Sequence, residues 1–176
     1  MKIKRLTIEG LFLISPDVSY DTRGYFFKSF HSSSYKKKGI DFTITQVNHS
    51  LTKSKGTIRG MHFQKKPFEE AKVVQCVKGK IYDVVIDLRK KSKTYGKWHA
   101  EELSQSNKKA LFIPEGLAHG FQTLTDETEL LYLMSSEFSP KHAHGVRFDD
   151  PSFNIHWPLP PTFLADKDKS WPLFNA

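Results

Sequence analysis

One cysteine, Cys76, stands alone among 176 residues, so no internal disulfide can staple the chain. No charged-then-apolar leader opens the sequence, and no apolar run approaches the roughly 20 residues that span a bilayer. A soluble protein of a reducing cytoplasm, without membrane contact, is therefore expected. No stretch of a dozen residues keeps a good helical period, which argues against an α-rich fold. Gly-x-Gly-x-x-Gly and Walker loops are missing, so no glycine-rich phosphate cradle is present. Gly-x-Ser-x-Gly is missing too, and Cys76 sits mid-strand with no evident histidine partner, so nucleophilic acyl transfer is poorly supported. Nor is there a repeat, a low-complexity tract or a linker, and one domain over residues 1–176 is expected.

What the sequence does have is positive charge. Twenty-seven Lys and Arg against nineteen Asp and Glu give a formal +8, which favours an anionic partner without naming it. The basic residues come in short groups such as Lys36 to Lys38, with no aromatic interleaving and no basic recognition helix. Most of them read as solvated surface, and nucleic acid is not expected as a partner.

Alternating, β-branched and aromatic segments recur between Gly, Pro, Asn, Asp and Ser breaks, a pattern of short strands in a sandwich, jelly roll or barrel. The expected strands are residues 11–14, 25–30, 43–49, 57–63, 72–77, 80–88, 110–113, 118–123, 129–134 and 146–148. Residues 32–38, opened by serines that can cap, read as a short helix, with a second small one near the C-terminus. Lys78-Gly79 suits a two-residue hairpin turn that pairs Cys76 with Ile81 and Val74 with Asp83. Lys72, Val74, Cys76, Ile81, Asp83, Val85 and Asp87 then share one face, with Lys72 diagonal to both aspartates. That face either lines an interior pocket, where lysine and carboxylates must pair, or is solvated.

Among eight histidines, context singles out two. His62 lies in a strand-like Arg59-Gly60-Met61-His62-Phe63-Gln64, partly buried and suited to proton abstraction near neutrality. His119 follows a Pro-Glu-Gly turn. Such a turn resembles half of a cupin metal motif, but His62 is followed by Phe63 and Gln64 rather than by further ligands, so no metal is expected. His142-Ala143-His144 follows a Ser-Pro turn with no carboxylate in step and reads as exposed loop.

Taken together, ordered strings over nearly the whole chain resemble the dTDP-4-dehydrorhamnose 3,5-epimerase family. They include Asp21-Thr22-Arg23-Gly24-Tyr25-Phe26, Gln46-x-Asn48-His49-Ser50, the Arg59 to Gln64 string, Lys72 in Ala-Lys-Val-Val, and Asp83 to Arg89. Ile113-Pro114-Glu115-Gly116-x-Ala118-His119-Gly120-Phe121, Tyr132, Asp149-Asp150-Pro151, Ile155-x-Trp157-Pro158 and Lys167-Asp168 continue the match. The resemblance implies a mostly β, cupin-like jelly-roll barrel, a homodimer, and a cofactor-free epimerase acting on a nucleotide-diphosphate-linked 4-keto-6-deoxy sugar. It further implies that His62 is the base, Tyr132 the acid, Asp168 the orienter of His62 and Lys72 the donor to the enolate oxygen. Arg23 and Arg59 match diphosphate-binding positions, while Gln46, Asn48, His119 and Asp83 match other substrate-pocket positions. Read singly, Arg23 is equally a turn residue pairing with Asp21, and Tyr132 a core aromatic. Strict alternation puts Arg59 and His62 on opposite faces of their strand, so a bulge at Gly60 is expected if both serve one pocket.

Three positions depart from the family pattern: Ser19 in place of an aromatic, Lys28 in place of an acidic residue and Val47 in place of Asp. They leave thymidine, cytidine and guanosine open as the nucleotide. Leu133 and Glu137-Phe138 depart in the sugar region, leaving open whether C3, C5 or both are inverted. A ketoisomerase of the same fold and a non-catalytic sugar-nucleotide binding module are the alternatives. Retention of a base, an acid, an orienting carboxylate and a lysine disfavours mere binding.

Overall fold

Period-two burial builds the molecule. The computed structural model describes residues 1–174. In chain order its strands are β1 Lys2–Arg5, β2 Phe12–Ser15, β3 Ser19–Asp21, β4 Gly24–Phe26, β5 Gln46–Thr52, β6 Ile58–Gln64 and β7 Lys72–Lys78. They continue as β8 Lys80–Asp87, β9 Trp98–Ser104, β10 Ala110–Ile113, β11 Leu117–Thr123, β12 Thr128–Met134 and β13 Ala143–Gly145. Two helices are short, α1 Ser32–Lys36 and α2 Asp166–Lys169. One sheet runs β1-β2-β10-β7-β12-β5 and the other β13-β6-β11-β8-β9, with β3–β4 a separate hairpin. The fold is a mostly β, cupin-like jelly roll, with its strands in two facing sheets.

Inward-facing Val74, Cys76, Leu111 and Leu130 of the first sheet meet Ile81, Val85, Leu103 and Phe121 of the second in one apolar cluster. At about 1.5–3 kcal/mol for each fully buried large side chain, this interface is the main stabiliser of the sandwich. The outer faces are covered as well. Tyr35, Ile40 and Phe42 from α1 and the loop after it pack on Val73 and Phe112 of the first sheet. Phe153, Ile155 and Trp157 of the C-terminal segment pack on Met61, Val84 and Ile86 of the second. No helix among the described residues is long and apolar enough to cross a membrane.

The Lys78-Gly79 turn does not make a hairpin. β7 pairs with β10 and β12, and β8 pairs with β11 and β9, so the turn carries the chain from one sheet to the other. The shared face survives nonetheless, because alternation decides which side chains meet the core but not whether two strands pair edge to edge or stack face to face. Lys72 consequently meets neither aspartate: it pairs with Glu70, Asp83 with His119, and Asp87 with Arg89, Ser92 and Thr94.

Other boundaries also moved. The strand expected over 146–148 lies instead at Ala143–Gly145, so His144 belongs to an edge strand rather than to a loop. The strand expected over 25–30 stops at Phe26, and the one expected over 43–49 runs Gln46–Thr52. β1, β3 and β9 add to the expected strands, β9 being hard to read because two of its three inward positions are the polar His99 and Glu101, with Leu103 the third. The serines of α1 do not cap it; the N-cap is His31, with no side-chain cap bond.

The bulge at Gly60 is present. β6 and β11 pair His62 with His119 and Arg59 with Phe121, so Gly60 and Met61 together oppose Gly120. Gly60 has φ +143°, and a Cβ there would lie 2.4 Å from Gly120 Cα. Only glycine permits this approach. The extra residue turns Arg59 and His62 to the same side of β6.

Candidate active site

Register places the candidate side chains in rows on two facing inner surfaces. In the first sheet Gln46, Met134 and Lys72 stand side by side, and Asn48, Tyr132 and Val74 form the next row. In the second, His62 and His119 are neighbours, and Arg59, Phe121 and Asp83 form the adjoining row. Residues directly opposite in a ladder point to the same face, so these groups converge between the sheets.

Asp168 reaches His62 from the far end of the sequence. The returning chain lies beside β6, where Ile58 N–H donates to Phe163 O at 3.1 Å, and α2 then brings Asp168 over the bulge. His62 Nε2 and Asp168 Oδ1 are 2.6 Å apart, while Gly60 N–H donates to Oδ2 at 3.2 Å. The carboxylate side chain is only 6% exposed and the imidazole 44%. Burial alone would raise the Asp168 carboxyl, but the bond and charge of His62 and the Gly60 amide hold it below its ordinary value. An anionic acceptor at Nε2 fixes the proton there and leaves Nδ1 as the basic nitrogen. The Trp171 ring lies edge-on to His62 at 6.3 Å and sits against Gly145, where a Cβ would be 2.4 Å from the indole.

Tyr132 faces the interior from the other sheet. Burial pushes its phenol up to about 12, against the weaker opposing pull of the Ser50 hydroxyl at 3.3 Å and of Arg59's charge. It is a protonated donor at neutral pH. His119 Nε2 lies 2.8 Å from Asp83 Oδ2, and Asp83 Oδ1 is buried with no hydrogen-bond partner among the described residues. Such an acceptor is costly unless something donates to it. Lys72 Nζ donates to Glu70 Oε1 at 2.7 Å.

A groove of about 680 Å³ opens at the sandwich edge and is lined by Arg59, His62, Gln64, Lys167, Asp168 and Trp171 among others. Phe138 and Phe163 also line it, both well exposed. Arg59 carries its guanidinium into this groove with a single long contact among the described residues, to Thr52 Oγ1 at 3.4 Å. Gln46 Nε2 donates to Asn48 Oδ1 at 2.6 Å, pairing the two amides on β5. Arg23 is not brought to the groove. It sits at the tip of the β3–β4 hairpin, 88% exposed, with its guanidinium on Asp21 at 2.6 Å. Ser19 and Lys28 lie by the same hairpin, around a smaller cleft with Phe26 and Phe27. Val47 points outward from β5, away from Asn48.

Glu70, Ser50 and Trp171 went unassigned from sequence. Glu70 had a signal, since residues two apart in an extended chain point to one side and a buried lysine needs an acceptor. Trp171 had none. His142 and His144 stack near Phe68 and Phe63, and no three His, Cys, Asp or Glu among the described residues converge to hold a metal. The assembly presents an imidazole on one surface, a phenol on the facing one, a lysine ammonium and an open groove lined by Arg59 and Lys167.

The sequence profile described as dTDP-4-dehydrorhamnose 3,5-epimerase matches residues 5–176. A protein of that name from Sinorhizobium fredii is 42% identical over 98% of this chain and 89% of its own. The crystal structure of a Bacillus anthracis dTDP-4-dehydrorhamnose 3,5-epimerase with TDP and PPi bound superposes with a TM-score of 0.95 at 37% identity, covering 98% of this chain and 99% of that one. That of a 3'-monoepimerase from Streptomyces bikiniensis in complex with dTDP-quinovose gives 0.89 at 34% identity, over 97% and 86% of the two chains.

Proposed function

This chain belongs to the dTDP-4-dehydrorhamnose 3,5-epimerase family, an isomerase class acting on dTDP-sugars in deoxysugar biosynthesis, and from that premise we propose a reaction carried by His62 and Tyr132. The substrate is a TDP-linked 4-keto-6-deoxy sugar, in keeping with the TDP bound by the Bacillus anthracis relative. The C4 ketone acidifies the hydrogens at C3 and C5. His62 Nδ1 takes a carbon-bound proton while Asp168 holds the ring and balances the imidazolium, and the electron pair moves onto the C4 oxygen. Lys72 donates to that enolate oxygen, with His119 and Asp83 supporting it. Tyr132 returns a proton to the opposite face of the carbon, and the base and the phenolate then re-equilibrate with solvent. The observation that carries this reading is the His62–Asp168 pair on one sheet with Tyr132 inward on the facing sheet, so that a ring between them meets base and acid from opposite sides.

Arg59 holds the diphosphate, for which a forked guanidinium in an open groove is well shaped. Arg23 joins it from a second copy in a homodimer. The β3–β4 hairpin exposes Tyr20, Tyr25 and Phe26, an apolar surface suited to cover by another chain, and β5 ends its sheet with an edge that no strand among the described residues pairs. Gln46 and Asn48, on the face of β5 that carries them beside Met134 and Tyr132, bind the substrate from the first sheet.

Incubation in D₂O with TDP-, CDP- and GDP-linked 4-keto-6-deoxy sugars, followed by NMR at C3 and C5, tests the reading. Label at both carbons of the TDP sugar is expected. Label at one carbon alone assigns a single-centre epimerase, as the Streptomyces bikiniensis relative is described. His62→Ala is expected to stop exchange; undiminished exchange would refute His62 as the base.

A further inference from the structure

A buried ammonium is tolerated only where a carboxylate and further acceptors replace its water. For Lys72 that carboxylate is Glu70, the only ion-pair partner of the lysine among the described residues, with side chains 7% and 9% exposed. Glu70 is itself held. Its Oε2 accepts from Gln64 Nε2 at 2.9 Å, and the same amide nitrogen lies 2.9 Å from Phe68 O and 3.0 Å from Glu137 O. Ser139 N–H donates to Gln64 Oε1 at 2.6 Å, so the Gln64 amide has one orientation open to it. Gln64 follows His62 by two residues in β6, and both face the interior. A continuous line of hydrogen bonds therefore runs from the strand carrying His62, through Gln64 and Glu70, to the ammonium on β7 of the facing sheet.

We propose that Glu70 is a positioning residue of the epimerisation: with Gln64 it sets where the Lys72 ammonium stands relative to His62. The proposal rests on the reading of Lys72 as donor to the enolate oxygen. One ammonium hydrogen is committed to Glu70, and two remain for the substrate oxygen. Glu70 touches no substrate, so its effect falls on the step in which the enolate forms and leaves ground-state binding by Arg59 intact.

Steady-state kinetics with a TDP-linked 4-keto-6-deoxy sugar, read as a double-mutant cycle, test this. Lys72→Met is expected to lower kcat by about 10²–10³. Glu70→Gln is expected to lower kcat by about 10–10², the usual result of misplacing a catalytic group, with KM within about threefold. In the Lys72→Met background Glu70→Gln is expected to change kcat by less than about threefold, because it acts only through the lysine. Glu70→Asp, which keeps the charge with a shorter reach, repeats the cycle should the Gln variant fold poorly. The proposal is overturned if Glu70→Gln retains kcat while Lys72→Met loses it, or if Glu70→Gln has its full effect again without the lysine. An undiminished kcat in Lys72→Met would refute the enolate role of Lys72 itself, a different failure.

Discussion

Replacing Asp168 by Asn changes one atom of the dyad and little of its shape. The carboxylate now accepts from His62 Nε2 at 2.6 Å and from Gly60 N–H at 3.2 Å. An amide can still accept from Gly60 through its oxygen, but it then presents NH₂ to His62 Nε2. That contact reverses the imidazole tautomer, moving the proton to Nδ1 and blocking the nitrogen assigned to abstraction. The imidazolium formed during turnover also loses its counter-charge. A positioned base is worth about 10²–10⁴ in rate, so exchange at C3 and C5 should fall by that factor, about 3–5 kcal/mol in barrier. Stability should move little. The volume is kept and the bulge amide stays satisfied, so a loss near 1 kcal/mol corresponds to about 2–4 °C in Tm. Deuterium incorporation by NMR and thermal unfolding by circular dichroism, on the same preparation, separate the two effects. An Asp168→Asn variant that exchanges within about threefold of the parent, or that loses exchange only in proportion to a collapsed Tm, would refute the orienting role of Asp168.

Tyr132→Phe removes the acid but not the base, so label should still enter from solvent while the inverted product falls by about 10²-fold or more; NMR of product stereochemistry reads this, and normal inversion would move the acid elsewhere. Gly60→Ala places a Cβ 2.4 Å from Gly120 Cα at a φ of +143°, and backbone strain plus overpacking should cost about 2–5 kcal/mol by urea unfolding. A neutral result would mean the two strands can separate at the bulge. Asp87 is fully buried; burial would raise its carboxyl, but bonds from Arg89, Ser92 and Thr94 bring it down from an ordinary 3.8 to about 2. Its contribution, about 2 kcal/mol, is present above pH 4 and lost as pH falls toward 2. The stability gap between the parent and Asp87→Asn should therefore narrow over that interval, and a gap independent of pH would contradict the assignment.

Much of the fold was legible because strand alternation is local. That Val74, Cys76, Ile81, Asp83, Val85 and Asp87 share one side followed from counting, and so did the need for a bulge between Arg59 and His62 if both serve one pocket; that the shared side is buried came from the packed sheets. The partner of each strand was not legible. Lys78-Gly79 has the chemistry of a hairpin turn, yet β10 and β12 already occupy both edges of β7. Which strand wins an edge depends on the whole sandwich, a sum over residues far apart in the chain.

The site divides in the same way. Sequence by itself determined the kinds of group available, a strand histidine, a tyrosine, a strand lysine and several arginines, since residue type sets what can donate, accept or carry charge. Tertiary structure decided which of them meet: Asp168 on His62 across 106 positions, Lys72 on Glu70 rather than on Asp83, and Arg23 on its own hairpin rather than in the groove. Hydrogen bonds and ion pairs act over about 3–4 Å, and no pattern along the chain specifies a distance that short between segments joined only by the folding of everything between them.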